Sequence, residues 1–435
     1  MEQFKKNLLH WARQFSTTCI LDSNKWNGSE QEIIAAFGSV DKIIPSENSF
    51  EELRNFHVKK GDWLFGHLSY DLKNEIENLS SGNFDGVGFP QLHFFQPEYI
   101  FILQGDRLQV GFLPEMTTPK KIETIVGEIC SDGFPSKIRY KYPLPEIKNR
   151  ILKDEYVQSV NKIKQHIRRG DIYEMNYCME FFGEGAPIDP VEVFLSLSET
   201  SKTPFSAFYR MGNSYLMCAS PERFLKKTGN KIVSQPIKGT SKRGENSYED
   251  ALAAQLLSKS EKEKSENVMI VDLVRNDLSK TCNHVTVDEL FGIYTFRQWH
   301  QMVSTVRGEL RPDLDFMDVI KNSFPMGSMT GAPKIRAMEL IEEYEKTKRG
   351  LYSGAVGYIT PDGDFDLNVV IRSILYNSSS NYLSFQAGSA ITANSVPEAE
   401  YEECLLKAKG MFEALKINGR AVNSSEPVSP ELFHA

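Results

Sequence analysis

Residues 352–360 read YSGAVGYIT, residues 366–375 read DLNVVIRSIL and residues 382–387 read YLSFQA. All three are rich in β-branched and aromatic side chains. Turn formers separate them, Pro361-Asp362-Gly363-Asp364 in the first gap and Asn377-Ser378-Ser379-Ser380-Asn381 in the second. Strands joined in this way predict an antiparallel meander. Upstream, residues 215–218 read as a strand, and Thr228-Gly229-Asn230 joins residues 223–225 to residues 231–233 as a hairpin. Helical signals stand apart from these strands. Tyr156, Val160, Ile163 and Ile167 recur with helical spacing up to Gly170, a residue suited to end a helix; a polar helical stretch covers 246–264, and a helix over 397–415 follows the meander. Long antiparallel strands with separate helices predict an α+β fold.

The chain has 435 residues, enough for two or three average domains. Prolines in Tyr140-Lys141-Tyr142-Pro143-Leu144-Pro145 place a boundary near residue 147. The expected division is an N-terminal region 1–147, a domain 148–417 and a polar tail 418–435. Net charge is −8, so a nucleic acid or an anionic membrane is not an expected partner, and an anionic substrate must be held by locally placed cations. The six cysteines include no CxxC pair, which argues against a zinc site or a disulfide framework. The N-terminus has no apolar signal run and no stretch is apolar enough to span a membrane, so a cytoplasmic protein is expected.

Four groups of residues have spacings that bear on chemistry. Centring the hairpin on Gly229-Asn230 sets Glu222 opposite Ile237 and beside Lys238. Spacing alone favours a cross-strand ion pair, whereas the framing of Lys238 by Pro236 and Gly239 points to a cleft where a desolvated lysine acts as nucleophile beside a general acid. Glu263 and Glu266, and Glu400 and Glu403, are i,i+3 pairs, with Lys407 one further turn on. Facing each other across a cleft they suit Mg2+; apart, they are solvated helix charge. The meander register sets Tyr352 near Ser373 and beside Arg372, and brings Arg372 within a residue or two of Gly388. This row makes a carboxylate site or a Tyr–Arg stack on an exposed sheet. Lastly, Gly327-Ser328-Met329-Thr330-Gly331-Ala332-Pro333-Lys334 precedes a helix with Pro333 at its first position, which fits an anion site, a simple cap or both, and is not a Walker A loop.

Taken with Ser220-Pro221-Glu222-Arg223-Phe224, Pro236-Ile237-Lys238-Gly239-Thr240 and the run from Glu266 to Asp277, these motifs make residues 150–418 resemble the chorismate-utilising enzymes. Within them the chain is similar to the family of aminodeoxychorismate synthase component I. In the first third the likeness is confined to Gly66-His67-Leu68-Ser69-Tyr70-Asp71 and Leu21-Asp22-Ser23. The resemblance implies a sandwich of two antiparallel β-sheets clad by helices, with chorismate and Mg2+ in a cleft. It implies Glu266 and Glu403 as metal ligands, with Glu263 and Glu400 linked to the metal through water. Arg372 and Tyr352 then clamp the enolpyruvyl carboxylate, supported by Gly388, Lys407 and Thr330.

Lys238 selects the subfamily, because anthranilate and isochorismate synthases usually have alanine there. The implied reaction is covalent: Lys238 attacks ring carbon C2, Glu222 protonates the departing C4 hydroxyl, and ammonia then adds at C4 and expels the lysine. No cysteine sits in a Gly-x-Cys-x-Gly setting, so a glutamine amidotransferase partner is expected to supply the ammonia. Two positions depart from the family pattern. Glu174 stands where aminating relatives usually have Gln and water-adding ones Lys, and Gln301 stands where His is common, with His300 one residue early. The alternatives are anthranilate synthase component I and, more distantly, a catalytically silent chorismate-binding regulatory subunit.

Overall fold

A computed structural model of the chain describes residues 2–26, 31–131, 142, 145–296 and 299–416. The expected tail 418–435 and most of the Tyr140 to Pro145 stretch lie outside the described residues. The helix Lys153–Arg169 buries Tyr156, Val160 and Ile163 and stops at Gly170, whose φ of 85° favours a residue without a β-carbon. The polar stretch after Asn246 forms two helices. Asn246 caps Ser247–Lys259, and the Ser260 side chain then accepts from the Glu263 amide and starts a new helix, Glu261–Ser279.

Two antiparallel sheets hold the chain together. The first runs, in spatial order, through Glu174–Gly183, Tyr382–Ile391, Ser373–Asn377, Ser214–Ser220, Phe205–Met211, Thr17–Asp22, Ile33–Phe37, Tyr99–Gln104 and Arg107–Phe112. The second runs through Ile237–Lys242, Trp299–Leu310, Lys231–Gln235, Arg223–Thr228, Phe365–Asn368, Ala355–Ile359, Leu64–Leu68, Leu92–Gln96 and Asp41–Ile43. Strands from before and after residue 147 pair in both sheets, through Thr17–Asp22 with Phe205–Met211 and Leu64–Leu68 with Ala355–Ile359. The expected boundary therefore falls within one shared framework.

Alternation along the strands makes two cores. Ile20, Phe208 and Met217 face a helical layer formed with Trp11, Tyr156, Phe194 and Phe412. Their neighbours Cys19, Tyr209 and Leu216 face the second sheet and meet Phe65, Phe94, Leu225 and Leu367. The architecture is thus the sandwich that the resemblance implied, with helices on its faces.

The meander departs from its sequence reading. Ile359 faces Phe365, one residue from the expected register, and the ladder stops at Asn368. Residues 369–372 then cross to the first sheet, where Ser373–Asn377 pairs with Tyr382–Ile391. What reads as one strand over 366–375 serves two sheets, because the apolar run Val369-Val370-Ile371 continues through the crossing and the sequence carries no Pro or Gly break there. Tyr352 accordingly lies in a turn before Ala355–Ile359 and has no ladder partner at Ser373. The hairpin begins as expected, with Thr228 facing Lys231 and Lys226 facing Val233, but a bulge slips the register so that Arg223 faces Gln235. Ile237–Lys242 leaves the hairpin and pairs with Trp299–Leu310.

Candidate active site

A cavity of about 510 Å³ opens between the two sheets and two helices. One helix, Pro397–Ala414, is fixed on the first sheet by Phe412, edge-on to Phe385 at 4.9 Å, and against the helix Lys153–Arg169 by Tyr401, 5.4 Å from Tyr156. That seating turns Glu400, Glu403 and Lys407 toward the cavity. The other helix, Glu261–Ser279, is held by Asn267, which accepts from Ser304 Oγ at 2.6 Å, and presents Glu263 and Glu266. The cavity is lined by Lys238, Glu222, Tyr352, Arg372, Gly388, Lys407, Glu263, Glu266, Glu400 and Glu403, which are all the sequence-expected residues except Thr330.

Arg372 occupies the crossing between sheets with a φ of 49°, a left-handed conformation that an arginine rarely adopts. Its guanidinium has no hydrogen bond or ion pair to any described residue, and burial pushes its pKa down to about 10 against the pull of Glu222. A free guanidinium fork in a cavity is a carboxylate site. Gly388 forms the adjoining wall, where a β-carbon would lie 2.4 Å from Cys178 Sγ and 2.6 Å from Asn176 Oδ1. Lys407 donates to the Gly388 carbonyl at 2.9 Å and pairs with Glu403 at 2.7 Å. Tyr352 is buried with its hydroxyl 3.7 Å from Cys178 Sγ, so a Tyr–Arg stack on an exposed sheet is not the arrangement found.

Lys238 and Glu222 share the cavity, but each has a different partner from the one their spacing suggested. Lys238 Nζ donates to Glu174 Oε1 at 2.6 Å. Burial opposes the charge on this lysine, yet the Glu174 carboxylate outweighs it and holds the pKa above the ordinary value. Glu222 Oε1 accepts from Ser328 Oγ at 2.6 Å. Burial pushes Glu222 up to about 7 despite that hydrogen bond and the charge of Lys238, so near neutrality the group is poised to donate a proton. The one-residue slip in the hairpin, and the departure of Ile237–Lys242 to another strand, explain why a facing ion pair does not form.

The carboxylates of the two helices form a charge-rich wall. Glu266 Oε1 is buried without a hydrogen-bond partner, and burial raises Glu266 to about 7. Glu263 and Glu400 are raised as well, first by burial and then, for Glu400, by Glu403. Glu403 moves the other way, because Lys407 overcomes its burial. Among the described residues no three acidic, His or Cys side chains form a group that could hold a metal ion as they stand. Ammonium groups take up the negative charge instead, Lys407 at Glu403 and Lys262 at 3.8 Å from Glu266. An all-oxygen donor set with a buried oxygen that no hydrogen bond satisfies fits a hard divalent cation, to which Glu266, Glu403, Glu263 and Glu400 could turn.

Thr330 is set apart from the cavity. Fully buried, it donates to the carbonyls of its own turn, Met326 at 3.2 Å and Gly327 at 3.3 Å. Ser328, from the same loop, reaches the site in its place, and Pro333 precedes the helix Lys334–Tyr344 as its cap rather than as its first residue. Strand alternation turns Gln301 inward, where its Oε1 is buried without a partner. His300 faces away, held at 2.9 Å by both Asp250 and Thr295. Behind the site a buried ion pair joins the walls: Arg349 donates to the carbonyls of Met329 and Asn176, while its partner Glu345 accepts from the Cys178 amide at 2.9 Å.

The family model described as chorismate binding enzyme matches residues 11–413, so the likeness extends through the first third as well as the remainder. The chain is 34% identical over 400 residues to the anthranilate synthase component I-like protein of Synechocystis, covering 90% of this chain and 80% of that one. It is 32% identical over 406 residues to aminodeoxychorismate synthase component 1 of Bacillus subtilis, covering 89% and 83%. Among solved structures, anthranilate synthase component I of Streptococcus pneumoniae superimposes with a TM-score of 0.77 at 26% identity, covering 89% of this chain and 93% of that one.

Proposed function

Because the chain belongs to the chorismate-binding enzyme family, we propose that it aminates chorismate at C4 to give 4-amino-4-deoxychorismate, the precursor of p-aminobenzoate in folate synthesis. Ammonia comes from a separate glutamine amidotransferase subunit, so the chain alone uses ammonium salts and not glutamine. The observation that carries this reading is the lysine in the cavity wall, Lys238, together with the buried acid Glu222. Relatives named for anthranilate synthesis are as similar as those named for aminodeoxychorismate synthesis. Lys238 favours the second group, and Gln301, which cannot take up a proton at neutral pH, supports retention of the enolpyruvyl group.

The free fork of Arg372 would take the enolpyruvyl carboxylate, with Tyr352 and Gly388 shaping the pocket around it. Glu266 and Glu403 would hold Mg2+, with Glu263 and Glu400 around it, and the bound ion would supply positive charge for the ring carboxylate. The Lys238 amine then bonds to C2, the ring double bonds shift, and the C4–O bond breaks as Glu222 gives its proton to the leaving hydroxyl, which departs as water. Ammonia attacks C4, the double bonds shift back and the C2–N bond to Lys238 breaks. The C4 ammonium returns a proton to Glu222.

Lys238→Ala tests the reading. Amination should fall strongly and stay low at saturating ammonia, and intact-protein mass spectra with chorismate and no ammonia should show an adduct on wild type that the variant lacks. Wild-type turnover by Lys238→Ala would make the lysine a mere ion-pair partner and refute the covalent route.

A further inference from the structure

A covalent role for Lys238 leaves one step unassigned, since an ammonium cannot attack carbon. We infer that Glu174 is the proton acceptor that converts Lys238 into a free amine, an inference that rests on the amination reading above and adds the base it lacks. Glu174 Oε1 is the hydrogen-bond acceptor of Lys238 Nζ, at 2.6 Å. The other oxygen, Oε2, is buried without a partner. Glu174 is 1% exposed and is not among the residues lining the cavity, so it acts through Lys238 and touches no substrate.

Its place is fixed by the loop 327–334. Gly331 pairs with Met175 and Ala332 with Glu174, and a β-carbon at Gly331 would lie 2.2 Å from the Glu174 carbonyl. The Tyr173 amide donates to the Ala332 carbonyl at 2.7 Å. The backbone that carries Glu174 is therefore held in place beside the amine, and its side chain is tied to it by the 2.6 Å hydrogen bond. The ion pair is the resting form, and because burial opposes both of its charges it lowers the cost of moving one proton from Nζ to the carboxylate to give a neutral pair. The other charged groups that face Lys238 are Glu222, Glu263, Glu266, Glu403 and Lys407, from the strand end and the two helices.

The step balances. Lys238 ammonium and Glu174 carboxylate become amine and carboxylic acid; the amine bonds to C2 as a secondary ammonium. When ammonia enters at C4, that C–N bond breaks with its electrons on nitrogen, and the neutral lysine recovers its proton from Glu174.

Glu174→Gln keeps the shape and removes the acceptor. Amination at pH 7 should slow by about a hundredfold or more, the range of a lost general base. The pH profile separates this from a structural effect. In wild type, kcat/KM measured at fixed, saturating concentrations of free ammonia and Mg2+ should be level below about pH 7 and fall above it as Glu222 ionises. In Glu174→Gln the lysine must lose its proton to solvent, so the rate should rise about tenfold per pH unit below that point and be level above it. Glu174→Asp, which retains a carboxylate on a shorter stem, should lower kcat with KM for chorismate unchanged and keep the wild-type profile; it carries the test where the Gln variant does not fold. A Gln variant with the wild-type rate and profile, or an Asp variant with wild-type kcat, overturns the inference. The underlying reading fails separately: if Lys238→Ala also turns over normally the covalent route is wrong, whereas an inactive Lys238→Ala beside a normal Glu174→Gln removes only the role of Glu174.

Discussion

Ser328 offers a way to move the pKa of the general acid without touching the acid. Its hydroxyl donates to Glu222 Oε1 at 2.6 Å, in a site where burial has already pushed Glu222 to about 7. A hydrogen bond to a charged group contributes about 1.5–3 kcal/mol and one to a neutral group about 0.5–1.5 kcal/mol, so the bond favours the carboxylate over the acid by about 1–1.5 kcal/mol. At about 1.4 kcal/mol per unit, Ser328→Ala should raise the Glu222 pKa by about one unit. The sign follows from the role: an acid that must be protonated works up to its pKa, so the alkaline fall in kcat/KM should move from about pH 7 to about pH 8 in the variant. The assay is kcat/KM for chorismate against pH with free ammonia held constant. A limb that stays in place, or moves to lower pH, would refute the assignment of Glu222 as the proton donor.

Glu266→Gln should abolish Mg2+-dependent turnover, and in wild type the affinity for Mg2+ should strengthen as pH rises through about 7, because a ligand held up by burial must first lose its proton; full activity in EDTA would contradict both. Arg349→Leu should lower stability by about 3–5 kcal/mol in urea titrations by leaving Glu345 charged and unpaired in the core, and a loss below about 1 kcal/mol would show that the buried pair does not hold the site walls.

Much of the site was legible because its residues lie in short segments whose local structure is strongly signalled. The i,i+3 spacing of Glu263 with Glu266 and of Glu400 with Glu403 needs only that each helix form, and Asn246, Ser260 and Gly170 mark helix ends in the sequence itself. Register arithmetic held next to the turns at Gly229-Asn230 and at residues 377–381, was one residue out at residues 361–364, and failed beyond the first irregularity. The bulge after Arg223 moved Lys238 away from its expected partner, and the crossing at residues 369–372 divided one apparent strand between two sheets. Neither event leaves a Pro or Gly at the point where it occurs. The pairing of Lys238 with Glu174, 64 positions apart in the chain, depends on contact between the two sheets and carries no local signal. Thr330 shows the opposite limit: its loop was found, but which hydroxyl enters the cavity is decided by the turn, and that hydroxyl belongs to Ser328.

The most direct measurement is the identity of the product. Purified chain incubated with chorismate, MgCl2 and an ammonium salt should give 4-amino-4-deoxychorismate by mass spectrometry, with the enolpyruvyl group intact and no pyruvate released. Anthranilate with an equal amount of pyruvate would contradict the account and assign the chain to the other branch of its family.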